Sequence, residues 1–472
     1  MTTSTPQPTQ STPTGSKSKF DQWRYRLTRS WEHRFSPVRP RVIAGLGAYS
    51  LWGLLLARSM FGGEMSRAIL LMLPVVLLVA HLFPQAALLA SIPAAAFGNV
   101  LMVPWLSLNA YALVVAVAGL GVVTRRWKLI MPFHGVVILL ATTVVVSAFT
   151  NDAIVGGLSV RPSALYTAMG LSMMIAASLI RPRIDQVLLA IACTGALVGV
   201  TVLAGWFRQG DTPAEGQIQR VYALGLNPNY LGLLVAFGSI AGVAVGLERR
   251  QGRFVLLALP CLLAMPSLKS RTALLLVGVG FLWMLLRHSQ RRLRDVIAVG
   301  LVFALVSIMY ASLGTLVYRA VLGRRATVSL SSTDQFRRDV ARFAFEQGLR
   351  HPVAGVGFGQ FSELAGTRFA IAYPSAHNDF LRYFAELGGF GLGLLLTLIV
   401  LIARAARSAG APRVATPMLA IMIVPMLLAE TLSSLPTLMG PVILAGAVVG
   451  AARRKHGPGT NAIGSRPPSW NE

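Results

Sequence analysis

Three short stretches hold residues whose types and spacing can do chemistry. In "AYPSAHNDF" (372–380), Ser375, His377, Asn378 and Asp379 stand just before a long apolar run, "LGLLLTLIVLIARAAR". In "RVYALGLNPNYLG" (220–232), Arg220 precedes Asn227-Pro228-Asn229, which opens another apolar run. In "SLKSRTALL" (267–275), Lys269 and Arg271 occupy a very short turn between two apolar runs. A histidine at the N-terminal mouth of a helix faces the positive end of the helix dipole, which disfavours imidazolium and keeps the ring neutral. A neutral imidazole can accept a proton from an attacking hydroxyl, with Asn378 or Ser375 fixing its tautomer. Arginine suits phosphate because its planar fork makes two parallel charge-assisted hydrogen bonds. Together these groups spell group transfer from a lipid diphosphate to an alcohol. His377 is the candidate base, and Arg220, Arg271 and Lys269 are the candidate donor-binding cations.

Each residue also has an ordinary reading. Asn227, Asn229 and Asn378 suit helix N-caps. Lys269 and Arg271 can snorkel to headgroups, and Arg220 can be a solvated charge. The ordinary reading weakens when they are taken together, because cations in short outer turns run against the orientation bias of membrane proteins and an anion there would hold them. No DxD-type carboxylate cluster is visible on this side, and Asp and Glu total only 17. The arginines would then neutralise the leaving diphosphate without a metal, and no cofactor is implied.

The elements that must position these groups are membrane helices. Of the 472 residues, 54% are apolar and 13% charged, which marks an all-α polytopic membrane protein. The formal charge of +26 does not point to nucleic acid, because most Lys and Arg fall in short turns between apolar runs. Runs of spanning length cover about 41–60, 67–83, 85–103, 107–123, 129–149, 163–180, 185–206, 228–247, 254–268, 272–287, 296–318, 379–403, 414–431 and 438–452, giving 12–14 transmembrane helices. Turns rich in cations (Arg125, Arg126, Lys128; Arg181, Arg183; Arg249, Arg250, Arg253; Arg287, Arg291, Arg292, Arg294; Arg404, Arg407, Arg413; Arg453, Arg454, Lys455) alternate with turns nearly free of them. The first set is then cytoplasmic, as are both termini, and His377 faces outward. Cys193 and Cys261 lie inside apolar runs and read as buried packing thiols.

Residues 1–40 read as a basic cytoplasmic tail: a Ser/Thr/Pro/Gln stretch without core-forming residues, then cations interleaved with aromatics. That second stretch either touches an anionic membrane surface or simply holds the N-terminus inside. No cleavable leader is visible, so the first apolar run should act as an anchor. Residues 41–452 form the transmembrane domain and 453–472 a disordered cytoplasmic tail. Residues 319–378 make one long extracytoplasmic loop. Within it "SSTDQFRRDVARFAFEQGLRHP" predicts a helix capped by Ser332 or Thr333, striped by Phe336, Val340 and Phe343, and ended by Gly348 and Pro352. Such a helix lies on the membrane or roofs a cavity. "GVGFGQF" (355–361) lacks the strand and Lys-Ser/Thr of a nucleotide loop and reads as a tight turn back to the membrane.

"HPVAGVGFGQF" followed by "AHNDFLRYFAELGGFGLGLLL" resembles the signature of the O-antigen ligase and O-antigen polymerase superfamily of bacterial envelope proteins. "RVYALGLNPNYLG" and "SRTALL" resemble its Arg-then-Asn-Pro-Asn element and its Ser-Arg turn. The similarity runs over about 200–450. It implies a GT-C-like, metal-independent glycosyltransferase in the bacterial inner membrane. Such an enzyme takes a glycan from undecaprenyl diphosphate on the outer face and gives it to an acceptor hydroxyl of a lipid or another glycan. On that resemblance Arg220 and Arg271 match donor-phosphate arginines, His377 the presumed base, and Arg337 a frequent arginine of the loop helix. "FRRDVARF" lacks a tryptophan often found there, and the basic N-terminal tail is not a family feature. Alternatives are a repeat-unit polymerase of the same family, a peptidoglycan polymerase, and a transporter or flippase of lipid-linked glycans. The flippase reading fits less well, because few charges fall in mid-span.

Overall fold

The computed structural model describes residues 82–98, 132–151, 154–155, 158–206, 226–249, 251–268, 270–287, 325–370, 376–408 and 434–455, with residues 80, 117, 223–224, 425–427 and 431–432 between them. All belong to one of two compact units, Leu46–Glu472; the other, Met1–Gly45, lies outside the described residues. The predicted spans 41–60 and 296–318, most of 67–83, 107–123 and 414–431, the N-terminal tail and residues 456–472 also lie outside them, while residues 453–455, read from the sequence as the start of the C-terminal tail, are instead the last residues of a helix, Leu435–Lys455.

The chain is an all-α polytopic membrane protein. Its described helices are α1 (Pro84–Phe97), α2 (Phe133–Asn151), α3 (Arg161–Ile180), α4 (Ile184–Leu203), α5 (Pro228–Arg249), α6 (Ala258–Leu268, preceded by a 3₁₀ turn, Gly252–Leu257), α7 (Arg271–Arg287), α8 (Arg325–Arg350), α9 (Gln360–Phe369), α10 (Asp379–Ser408) and α11 (Leu435–Lys455). Between α2 and α3 the two-residue strands Ile154–Val155 and Leu158–Ser159 pair antiparallel. Six helices (α2, α3, α4, α5, α10 and α11) contain stretches long and apolar enough to cross a bilayer, and α1, the 252–268 segment and α7 are shorter apolar helices. Proline in the first turn starts α1, α3 and α5, where its missing N–H costs no helical hydrogen bond.

α5 is the central helix, buried along almost its whole length against α4, α6 and α7. Small residues allow this. A Cβ on Gly195 of α4 would collide with the backbone of Gly238 on α5, and one on Gly446 of α11 with the Met174 carbonyl of α3. Helices that meet in lipid gain little from hiding apolar surface, so close backbone approach and dispersion replace it. Outward faces carry Ile138, Leu139, Leu197 and Val200. Cys193 is exposed on that outward face of α4, not packed inside as expected, because its helical position repeats with Leu197 and Val200; Cys261 is buried.

From α2 to α7 the helices alternate in direction, whereas α10 and α11 run the same way as each other. The ends of α2 and α4 and the starts of α3, α5, α7 and α10 fall at one end of the bundle. Arg181, Arg183, Arg249, Arg407 and Arg453 fall at the other, where Arg249 pairs with Asp185 at 2.8 Å.

The segment before α10 forms a second, smaller core. Val340 and Ala344 of α8, Phe361 and Ala365 of α9, Ala376, and Ala385 of α10 are buried together, with Phe336, Phe343 and Phe369 packed around them. The predicted stripe of α8 is thus covered by protein. α8 itself starts at Arg325, so Ser332 and Thr333 lie inside it and do not cap it. Gly348 does not end it either: the helix continues to Arg350, and the glycine is there because a Cβ would collide with the Phe384 ring.

Candidate functional site around His377

The junction between the glycine loop and α10 is built by an exchange of backbone partners. α10 breaks at Gly388, whose φ of 65° and ψ of −164° are not helical. In an unbroken helix the N–H groups of Gly389 and Phe390 would donate to the carbonyls of Ala385 and Glu386. Here they donate instead to Pro352 O (2.6 Å) and Val353 O (3.3 Å), while Ala385 O and Glu386 O accept from Val356 N–H and Gly357 N–H, both at 2.9 Å. The loop thereby pairs these four backbone groups, which would otherwise lose their helical partners. Only glycine fits at two of these positions. Gly355 and Gly388 both have positive φ, and a Cβ on either would strike the other strand's backbone. The loop is a turn stitched onto a broken helix, as the absence of nucleotide-loop features suggested.

Beneath this seam lies a group of buried polar residues. Arg382 and Glu386 form an ion pair at 3.0 Å, one helical turn apart, and the Arg382 guanidinium sits 5.0 Å from the centroid of the Phe358 ring. Phe358 comes from the glycine loop, and its N–H donates to Ser147 Oγ of α2 at 2.9 Å. Asp379 is 0% exposed. Its Oδ2 accepts from Thr431 Oγ1 (2.6 Å), Thr431 N–H (2.9 Å) and Leu432 N–H (3.3 Å). Beside it Tyr383 is also buried.

His377 stands at the edge of this group, half-buried, two residues before Asp379, with a φ of 50°. Left-handed backbone is uncommon for a residue with a side chain and is kept only where the surroundings over-determine it. Asn378 caps α10: its Oδ1 accepts from Leu381 N–H at 3.0 Å. Asn227 caps α5 in the same way, accepting from Asn229 N–H and Tyr230 N–H at 3.0 Å each, so Asn229 enters through its backbone. Both asparagines therefore take the ordinary role weighed for them. Arg337 lies half-buried on α8, beside the small outer core. Arg271 is the first residue of α7, and its neighbour Ser270 packs where a Cβ on Gly232, in the first turn of α5, would go. The mouths of α5 and α7 are thus adjacent. Arg220, Lys269, Ser375 and the Arg271 side chain lie outside the described residues. Among the described residues no three His, Cys, Asp or Glu side chains gather into a group that could hold a metal.

A cavity of about 410 Å³ opens below the junction. Tyr383 and Thr431 lie at its polar end, Leu395, Leu398 and Ile402 along its wall, and Arg407 at its far end. It therefore follows α10 from the His377 end toward the opposite end of the bundle.

The comparisons bear on the stretch just described. Residues 255–396 match the family model of the O-antigen ligases. The match supports the O-antigen ligase and polymerase superfamily on the residues that carried the resemblance, from the glycine loop through His377-Asn378 to the Gly388 break. It is narrower than 200–450, and leaves Arg220, Asn227, Asn229 and Thr431 outside. No curated protein matches the chain. Asp379 was read from the sequence only as one of the polar groups before the apolar run and given no role, Tyr383 was not singled out, and neither was the pair Arg382 and Glu386. The signal of that pair was present: charges at i and i+4 in a span start pair when buried.

Proposed function

We propose that the protein is a glycosyltransferase of the O-antigen ligase type, moving a glycan from an undecaprenyl-diphosphate-linked donor to an acceptor hydroxyl on the outer face of the bacterial inner membrane, in surface polysaccharide assembly. The match over 255–396, with His377 held in left-handed backbone inside it, carries the reading. The acceptor hydroxyl gives its proton to the His377 imidazole. Its oxygen bonds to the anomeric carbon as the bond from that carbon to the diphosphate breaks, and the prenyl diphosphate leaves with the electron pair. Arg271, Arg220, Lys269 and Arg337 supply positive charge for the diphosphate in place of a metal. The apolar cavity beside Tyr383 supports a donor whose tail stays in the membrane. The cation-rich far end of the bundle supports a cytoplasmic placement of that end and of both termini.

Purified protein supplied with a prenyl-diphosphate glycan and acceptor is expected to consume the donor without an ion gradient. An absolute need for a gradient would favour a transporter. In a deletion strain, gel analysis of surface glycan separates the two family activities. Long chains lost from their anchor indicate a ligase, and single-repeat products a repeat-unit polymerase.

A further inference from the structure

The geometry points to Asp379 and Thr431 as a positioning clamp that aims His377, an inference that rests on the proposed base role of His377. His377 lies between two anchors. On one side Ala376 is buried in the small core made by α8, α9 and α10. On the other, Asp379 is fully buried and bound through one carboxylate oxygen to both the hydroxyl and the N–H of Thr431. Asn378 between them spends its side-chain oxygen on capping α10. The chain can satisfy all three only by turning sharply at His377, and that residue takes the left-handed conformation. The clamp reaches 52 residues along the chain, from the mouth of α10 to the turn before α11. The contact is therefore long-range.

The position of the clamp also matters. Thr431 and Tyr383 line the polar end of the apolar cavity. The same contact therefore fixes the imidazole relative to the place where a lipid-borne diphosphate would emerge. Asp379 and Thr431 need touch neither donor nor acceptor to act. A base displaced by a fraction of an ångström loses its near-attack geometry while donor affinity, set by other groups, is retained.

Thr431→Val keeps the shape and the N–H but removes the hydroxyl, and Thr431→Ser keeps the hydroxyl. For each, donor binding to the full-length protein in nanodiscs is measured with an undecaprenyl-diphosphate glycan in the absence of acceptor, followed by single-turnover transfer per bound donor. We expect Thr431→Val to bind donor with unchanged stoichiometry and Kd but to transfer about tenfold more slowly, and Thr431→Ser to restore the rate. Wild-type transfer by Thr431→Val overturns the clamp, as does a rate loss matched by an equal loss of binding sites. His377→Gln in the same assay tests the base separately: a full rate there sinks the base, whereas a full rate in Thr431→Val with an inactive His377→Gln sinks only the clamp.

Discussion

Two helix mouths of this protein start with the same chemistry and differ in what surrounds it. Asn227 caps α5 and Asn378 caps α10, each through its side-chain oxygen. Each is preceded by a residue with a side chain in left-handed backbone: Leu224, with φ 61°, and His377, with φ 50°. At α5 the turn closes on itself. Leu226 N–H donates to Ala223 O at 2.9 Å, and Leu224 is fully buried, so its strain is repaid locally by packing. At α10 the strained residue is half-exposed and held by distant anchors, the small outer core and Thr431. Strain that buries leucine reads as architecture. Strain that keeps an imidazole at a polar rim, against its own local preference, points to chemistry.

The sharpest test of the contrast is the imidazole itself. His377→Gln is expected to cut transfer about 10²-fold or more, as loss of a general base does, with the protein still folded by circular dichroism. Next come the buried charges behind it. Arg382→Ala removes the ion-pair partner of buried Glu386 and should destabilise by about 3–5 kcal/mol, whereas replacing both by leucine costs less, read by thermal unfolding in detergent. The two caps then separate stability from activity. Asn227→Ala and Asn378→Ala should each cost about 1 kcal/mol of stability, but only Asn378→Ala should also slow transfer. The smallest effect is the most specific to backbone strain: His377→Gly should be more stable than His377→Ala by about 1 kcal/mol or less, because glycine accepts the left-handed turn. Equal unfolding temperatures for these two would erase the difference drawn between the mouths.

Much of the architecture was legible in the residues. The apolar runs gave α2 to α7, α10 and α11 nearly to their ends, because twenty apolar residues in a row have few other uses. The stripe Phe336, Val340, Phe343 located the face of α8 that is buried. Its start was misplaced because Ser332 and Thr333 look like caps wherever they stand, and Gly348 looked like a stop when its task is to let Phe384 approach. α9 escaped notice, since ten residues with an apolar pair have no periodicity strong enough to read. At the site, the asparagine caps could be read from local spacing. The Asp379–Thr431 contact could not, because nothing within a short window announces a partner 52 positions away.

The exchange of hydrogen bonds around Gly388 has a consequence for anyone building hybrids. The stretch from Pro352 to Gly357 supplies the partners that Ala385 to Phe390 lack, so neither piece is self-sufficient. A loop transplanted from a related chain would arrive without its seam, leaving these backbone groups unpaired. Crossover points should therefore fall before His351 and after Gly391, so that the two motifs travel as one cassette.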